Sequence, residues 1–414
     1  MGIMNVLLFF SGLAIPSGGL QHSAPNSDKE INMLRATGNR RQSRQTAAAF
    51  SDFMATHSRD YLHGSAEYEN RLKLFEMRVA EVEMHNSRTD RLWTAVVNKF
   101  SDRTDEELSA YRGWARRGQS AARSQRHENT GCSQYSSGNL PAVSRSWLEY
   151  HNAFIRDQGM CGSCWAVTAT TVLGWHSELY ATNQSFSTQE IVDCVPNPND
   201  CGGSGGCDGA TVELAFQYVM SKGCREVSVY GNYNAIDGEC DWTPTSNTNP
   251  SLEYLTKFSS DCGIFEATHD ANGHEFGMVA WIRLESNKVL PLLHAVNEYG
   301  PVAVAVSANN FNSYGGGIFD GCTDDWIVNH AVTLVGYGVE DGNKYWQIQN
   351  SWGSTWGEGG WIRLLRKDNE EEEKHCGMDT NPQAGLACEG EDEPVKVCGS
   401  CGILYDSVFP NFTR

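Results

Sequence analysis

Gln158-Gly159-Met160-Cys161-Gly162-Ser163-Cys164-Trp165 is the stretch on which the reading of this chain turns. Glycine at two positions makes a turn of the backbone ahead of Cys164. Beyond the turn the chain is apolar at helical spacing: Trp165, Ala166 and Val167, then Val172, Leu173 and Leu179. The turn therefore sets the Cys164 thiol at a helix N-terminus, where unsatisfied amides carry partial positive charge and favour the thiolate. The thiolate, not the thiol, is the nucleophile. A structural disulfide within the Cys161/Cys164 pair is the competing reading, and it leaves Gln158 and Trp165 without a purpose.

Two more stretches complete a pattern. Asn329-His330-Ala331-Val332-Thr333-Leu334-Val335-Gly336-Tyr337-Gly338 is a histidine entering a buried strand that a glycine turn closes. Alone, such a histidine is usually structural. Gln349-Asn350-Ser351-Trp352-Gly353 comes next, with Trp356-Gly357 just after. In this order and at these separations, the three stretches resemble the cysteine proteases of the papain family, over roughly residues 50–410.

The resemblance implies a papain-like α+β fold of two subdomains, a helical half carrying Cys164 and a β-barrel-like half carrying His330 and Asn350. It implies an endopeptidase that binds an extended peptide in the cleft between them. Cys164 would be the nucleophile. His330 would hold the proton beside the thiolate and pass it to the leaving amine, and such pairing lowers a cysteine pKa to about 3–4. Asn350 would orient the imidazole under the cover of Trp352, and Gln158 would donate to the oxyanion. Gly209, Ala210, Val212, Ala305, Val328, Ala331 and Trp352 would contact substrate. No metal or organic cofactor is implied.

The bulk numbers fit. Residues 1–139 hold 18 basic and 15 acidic side chains, +3, and residues 140–414 hold 14 and 36, −22, of the total −19. A cationic segment docked on an anionic one would look like this, and nucleic acid is excluded as a partner of the acidic part. All 14 cysteines lie from Cys132 onward, with no paired Cys-x-x-Cys knuckles and histidines for a metal, so disulfides in an oxidising compartment are expected. Residues 6–16 are mostly apolar and precede Ser17, Gly18 and Gly19, a signal-peptide core ending near residue 19. No apolar run reaches membrane-spanning length. The expectation is a monomer of the secretory pathway, lysosome-like or extracellular.

After a polar, basic stretch at 20–46, helical patterning runs from about residue 47 to 86. Glu67, Arg71, Phe75, Arg78, Val82 and Asn86 share one face of a helix ~30 Å long. Asn98-Lys99-Phe100-Ser101-Asp102 alternates like a short strand, and Glu106-Glu107-Leu108 opens another helix. These positions resemble the two motifs of the inhibitory propeptides of cathepsin L-like proteases, with Arg78 where Asn is expected, Val82 for Ile and Val96 for Gly. The protein's own propeptide would thus inhibit it, over residues 47–111. The Arg-, Gly- and Ser-rich residues 112–139 read as the activation linker, and 140–414 as the catalytic domain.

The family's disulfides would fall at Cys161–Cys207, Cys194–Cys240 and Cys322–Cys401, the last favoured over Cys322–Cys376 by the ending after Cys401. With Cys401, residues 366–400 become an insertion that Cys376, Cys388 and Cys398 are available to staple. Asp406 then closes the floor of an otherwise apolar pocket for the side chain two residues before the scissile bond, which would take leucine or phenylalanine and also an arginine that meets the carboxylate. With Cys376 that position is Asn381. The run from Glu370 to Glu373 reads as a solvated loop. Asn183-Gln184-Ser185 and Asn411-Phe412-Thr413 are glycosylation sequons. Two other classes compete: a papain-like binding or storage protein, against which the intact Cys164, His330, Asn350 and Gln158 count, and an exopeptidase, which needs a segment blocking one end of the cleft.

Overall fold

The computed structural model describes residues 46–113, 143–148, 154–181, 183–241, 256–259, 264–267, 277–322 and 325–412. The expected signal peptide, residues 20–45, most of the activation linker and Cys132 lie outside them. Two units result, divided after Leu62. The first holds helix α1 (residues 46–56), in which Phe50 stacks on Phe53 at 6.0 Å and on Tyr61, beyond the helix, at 6.5 Å.

The second unit opens with α2 (Ala66–Asn86), whose first turn is capped by the Ser65 hydroxyl. Helical patterning from 47 to 86 thus yields two helices, because Ser58 and Gly64 between them take left-handed backbone angles. One face of α2 carries the propeptide positions. Arg71 grips Glu107 with both guanidinium nitrogens, at 2.5 and 2.8 Å, and donates to the Asp102 carbonyl. Arg78, the departure from the motif, pairs with Glu81 and Asp105. The Asn86 amide donates to and accepts from the backbone of Ala95 in β1 (Trp93–Ala95).

The short strand expected at 98–102 is instead a turn. Asn98 and Ser101 turn their side chains back onto backbone N–H groups, of Phe100 and Asn98, and so outcompete a ladder. Helix α3 (Asp105–Ala110) comes after it, with Thr104 and Glu107 closing a reciprocal cap.

The helical half is built on α4 (Cys164–Tyr180), α5 (Thr188–Cys194), α6 (Val212–Lys222) and the short α7 (Val227–Tyr230). Trp165, Val172 and Leu173 of α4 pack with Phe216 and Val219 of α6. Burial of each such side chain contributes about 1.5–3 kcal/mol. The other half is a sheet. In chain order its strands are β2 (Arg145–Ser146), β3 (Thr256–Ser259), β4 (Ile264–Ala267), β5 (Met278–Arg283), β6 (Val302–Val306), β7 (Tyr314–Phe319), β8 (His330–Glu340), β9 (Asn343–Gln349), β10 (Trp361–Arg366) and β13 (Ser407–Phe412), with helix α8 (Val289–Glu298) between β5 and β6. They pair in the order β1-β7-β10-β9-β8-β6-β13-β5-β4-β3, with β2 on β8, so the half expected to be barrel-like is an open sheet.

The propeptide strand β1 is the first member of that path. It lies antiparallel to β7, Trp93 opposite Gly317 and Ala95 opposite Tyr314. Glycine makes this approach possible: a Cβ on Gly317 would overlap the Leu92 carbonyl, and one on Gly315 would overlap Val96.

Among the described residues, five disulfides join Cys161–Cys207, Cys194–Cys240, Cys201–Cys388, Cys322–Cys401 and Cys376–Cys398. The last closes a hairpin of β11 (Cys376–Asp379) and β12 (Val395–Cys398). The acidic run read as a solvated loop is helix α9 (Asn369–Lys374), and Glu372 within it is fully buried. Its carboxylate accepts from the Lys367 and Ser400 amides and the Trp346 indole, so this charge anchors the entry to the insertion.

Candidate active site

Cys164 is the first residue of α4, after a turn in which Gly162 donates to the Cys207 carbonyl and the Cys161–Cys207 disulfide pins the chain. Ser163 supplies no side-chain cap, so the first amides of α4 are left to the thiol. Across the cleft, β6 and β8 pair Val306 with His330 and Ala305 with Ala331. The register delivers His330, at the first position of β8, and the Ala331 amide lies 3.5 Å from the Cys164 sulfur.

Asn350, just past β9, reaches the imidazole: its Oδ1 is 2.8 Å from His330 Nε2. The same oxygen accepts from the Ser351 amide, which fixes its direction. Trp352 is fully buried, its ring centred 5.0 Å from that of His330. Gln158 is buried too. Its Nε2 donates to the Cys161 carbonyl and its Oε1 accepts from the Ser351 hydroxyl at 2.5 Å, leaving one N–H of the amide unused by these bonds. Tyr233 braces the turn through the Gln158 carbonyl and Ser163. The sequence carried no signal for Tyr233 or Ser351 in these roles, because neither spacing nor residue type marks them.

Propeptide residues occupy the cleft. The Tyr111 carbonyl accepts from the Trp352 indole at 2.9 Å, and the Arg112 carbonyl accepts from the Cys164 thiol at 3.3 Å. Gly113 (φ +89°) passes so near that a Cβ there would overlap the sulfur. Arg112 and Gly113, read from sequence as the start of a linker, are thus the plug over the nucleophile. Burial pushes the Cys164 thiol up to about 12, against the pull of the Ala331 amide. Burial also brings His330 down to about 4, against the hydrogen bond to Asn350. Both shifts favour the neutral thiol and imidazole over a thiolate–imidazolium pair in the precursor.

Beside Ala331 a small cavity is lined by Val212, Glu213, Ala305, Leu386, Asp406 and Val408. Val328 stands behind it, packed with Ala305 and Leu386. Asp406 is not the lone anion expected at the floor: Arg283 lies 2.9 Å from its carboxylate and 3.9 Å from that of Glu213. Burial, then the nearby Asp406, pushes the Glu213 carboxyl up. Ala210 is buried beside this cavity's helix α6, and Gly209 precedes it with an extended positive-φ backbone. Nothing in the spacing announced Arg283 or Leu386.

Two family models match the chain: a papain family cysteine protease over residues 144–386, and a cathepsin propeptide inhibitor domain over residues 50–108. Fruit bromelain of Ananas comosus is 30% identical over 77% of this chain and 80% of its own length. A cathepsin L-like proteinase of Fasciola hepatica is 30% identical over 73% of this chain and 84% of its own. Among solved structures, digestive procathepsin L 3 of Tenebrio molitor larval midgut aligns with 89% of this chain and 99% of its own, at 26% identity and a TM-score of 0.63.

Proposed function

We propose, for a chain that belongs to the papain family of cysteine proteases, that Cys164, His330, Asn350 and Gln158 carry its chemistry. The protein is a cysteine protease made as an inactive precursor, with its own propeptide as inhibitor. The disulfides among the described residues suit the oxidising compartments of the secretory pathway. Within that, the homologues' cathepsin-like character favours an acidic, lysosome-like site of action.

The observation that carries the assignment is the convergence on one point of the α4 N-terminus, the first residue of β8 and the Asn350 oxygen. With residues 112–113 withdrawn, the thiol and imidazole regain water and the opposed charges are no longer desolvated. The Cys164 proton moves to His330, and the sulfur attacks the scissile carbonyl carbon. Negative charge gathers on the carbonyl oxygen, where the Cys164 backbone amide and the Gln158 side chain donate to it. His330 returns its proton to the leaving amine and leaves a thioester on Cys164. Water, deprotonated by the same imidazole, then releases the acid and restores the thiol. Asn350 holds the ring in the plane that serves both transfers, and Trp352 keeps water from that bond.

The cavity of Val212, Ala305, Ala331, Val408 and Asp406 is the seat for the side chain two residues before the scissile bond. With Arg283 already on Asp406, that seat favours an apolar guest such as leucine or phenylalanine over arginine. Cys164→Ser and His330→Ala should each lower kcat on a leucine-containing peptide by at least ~10³-fold with the fold intact. Asn350→Ala should retain measurable turnover, since it orients without reacting. Wild-type turnover in Cys164→Ser would remove the assignment.

A further inference from the structure

The insertion crosses from the sheet half to the helical half, and it does so at the pocket beside Ala331. Its base is the β11–β12 hairpin, closed by the Cys376–Cys398 disulfide and set against the sheet half. Between the arms of that hairpin the chain leaves on a fixed course. Asp379, at the end of β11, accepts from the Val328 amide at 3.2 Å and from the Asn381 amide at 2.9 Å. A single helical turn, Pro382–Ala384, then lays Gly385 so close to the Val328 carbonyl that any Cβ would overlap it. Leu386 comes next. It packs on Ala305 and Val328, and it faces Val212, Ala331 and Asp406 as one wall of the cavity.

The residues after Leu386 belong to the opposite bank. The Ala387 carbonyl accepts from the Gly202 amide at 3.1 Å, the Glu389 amide donates to the Asn199 carbonyl at 2.9 Å, and Cys388 is bonded to Cys201 between them. That bank is the loop held between the Cys194–Cys240 and Cys161–Cys207 disulfides of the helical half. The crossing braces itself as well: the Gln383 amide donates to the Cys388 and Glu391 carbonyls. A covalent bond and two backbone hydrogen bonds therefore bridge the two walls of the cleft. The bridge adjoins the cavity through Leu386.

We propose that residues 380–391 are a strap, locked by Cys201–Cys388, that ends the amino side of the substrate cleft at this pocket. The enzyme then reads the two residues before the scissile bond, with Leu386 as the outer wall of the second seat. Residues further out must turn away from the surface and contribute nothing to transition-state binding. The strap distinguishes this chain from an open cleft, in which each added residue finds a further seat. The disulfide matters because an untethered loop would be displaced by an extended peptide at a modest cost in ordering, whereas a cross-link holds the bridge shut.

The inference rests on the assignment of the pocket to the residue two before the scissile bond, and the test separates the two. Activated enzyme with Cys201–Cys388 intact by peptide mass would be assayed on amino-capped fluorogenic peptides carrying two, three, four and five residues before the scissile bond, with leucine constant in the second place. The strap predicts kcat/KM constant within about twofold from two residues to five, or falling. The Cys201→Ser/Cys388→Ser variant should match wild type on the shortest peptide and gain at least tenfold on the longest. Leu386→Gly, which keeps the tether, should raise the relative rate for tryptophan over leucine in the second place at least fivefold. A tenfold gain with length in the wild type overturns the strap whatever the variants do, as does an unchanged length profile in a folded double variant. Should Val212→Trp leave the leucine preference untouched, the pocket assignment itself fails, and the strap with it.

Discussion

Cys164 shows how one residue can be built for reactivity and stored without it. Its helix N-terminus favours the thiolate, yet the Arg112 carbonyl and Gly113 cover the sulfur and burial lifts the thiol to about 12. For a group raised in this way the neutral form persists until the pH nears the raised value, so at pH 7 the precursor holds a thiol. Iodoacetamide at pH 7 should leave Cys164 of the precursor unlabelled and alkylate it quickly once the propeptide is cleaved, at least a hundredfold faster by peptide mass spectrometry. Cys224 supplies the internal control: it is the other free, buried cysteine among the described residues, its thiol also pushed up by burial, and it lies outside the catalytic constellation. Equal labelling of Cys164 before and after cleavage would refute the account.

At the scale of elements, latency depends on how α2, β1 and α3 hold one another. Burial works against ionised Glu107, but the Arg71 fork, the Thr104 amide and Arg103 hold its carboxyl at about 2, below its ordinary 4.5. A depressed carboxylate contributes stability above its unfolded value and loses it as pH falls through the folded one. This contact therefore weakens from about pH 4.5 down toward pH 2, which is the direction required for acid release. Glu107→Gln should activate several-fold faster than wild type at pH 6, where the wild-type pair is intact, and the gap should close as pH drops below 4. Gel-based timing of propeptide cleavage would measure both, and equal rates at pH 6 would count against the pair. The Asn86 bonds to Ala95 carry no charge and should not respond to pH at all.

For the molecule as a whole, residues 1–139 sum to +3 and residues 140–414 to −22, opposite signs that attract at long range. Such attraction is screened beyond about 8–10 Å at ordinary ionic strength. The Lys99–Asp157 pair is a direct contact between the two parts. Raising NaCl from 0.05 to 0.5 M at pH 7 should speed propeptide release several-fold, and Lys99→Ala should remove part of that response. No salt effect at all would assign latency to the β1–β7 ladder and the buried plug alone.

How much of this was legible in the sequence divides by the range of the interactions. Local chemistry was readable: the turn before Cys164, the strand after His330, the asparagine beside Trp352 and the one-faced pattern of α2 all lie within a few residues of what they specify. So was the class of enzyme, because those stretches resemble a family. Short-range competition defeated the reading at Asn98–Asp102, where side chains captured the backbone, and at Glu370–Glu373, where a charge run proved to hold a buried anchor in Glu372. For Cys322 the sequence favoured Cys401 over Cys376, and the structure bonds it to Cys401. The Arg283 partner of Asp406, the tether from Cys388 to Cys201 and the wall made by Leu386 were decided only in three dimensions. Cys201 and Cys388 are 187 residues apart. No periodicity spans that distance, and only the packed positions of two loops on opposite banks of the cleft determine which sulfurs meet.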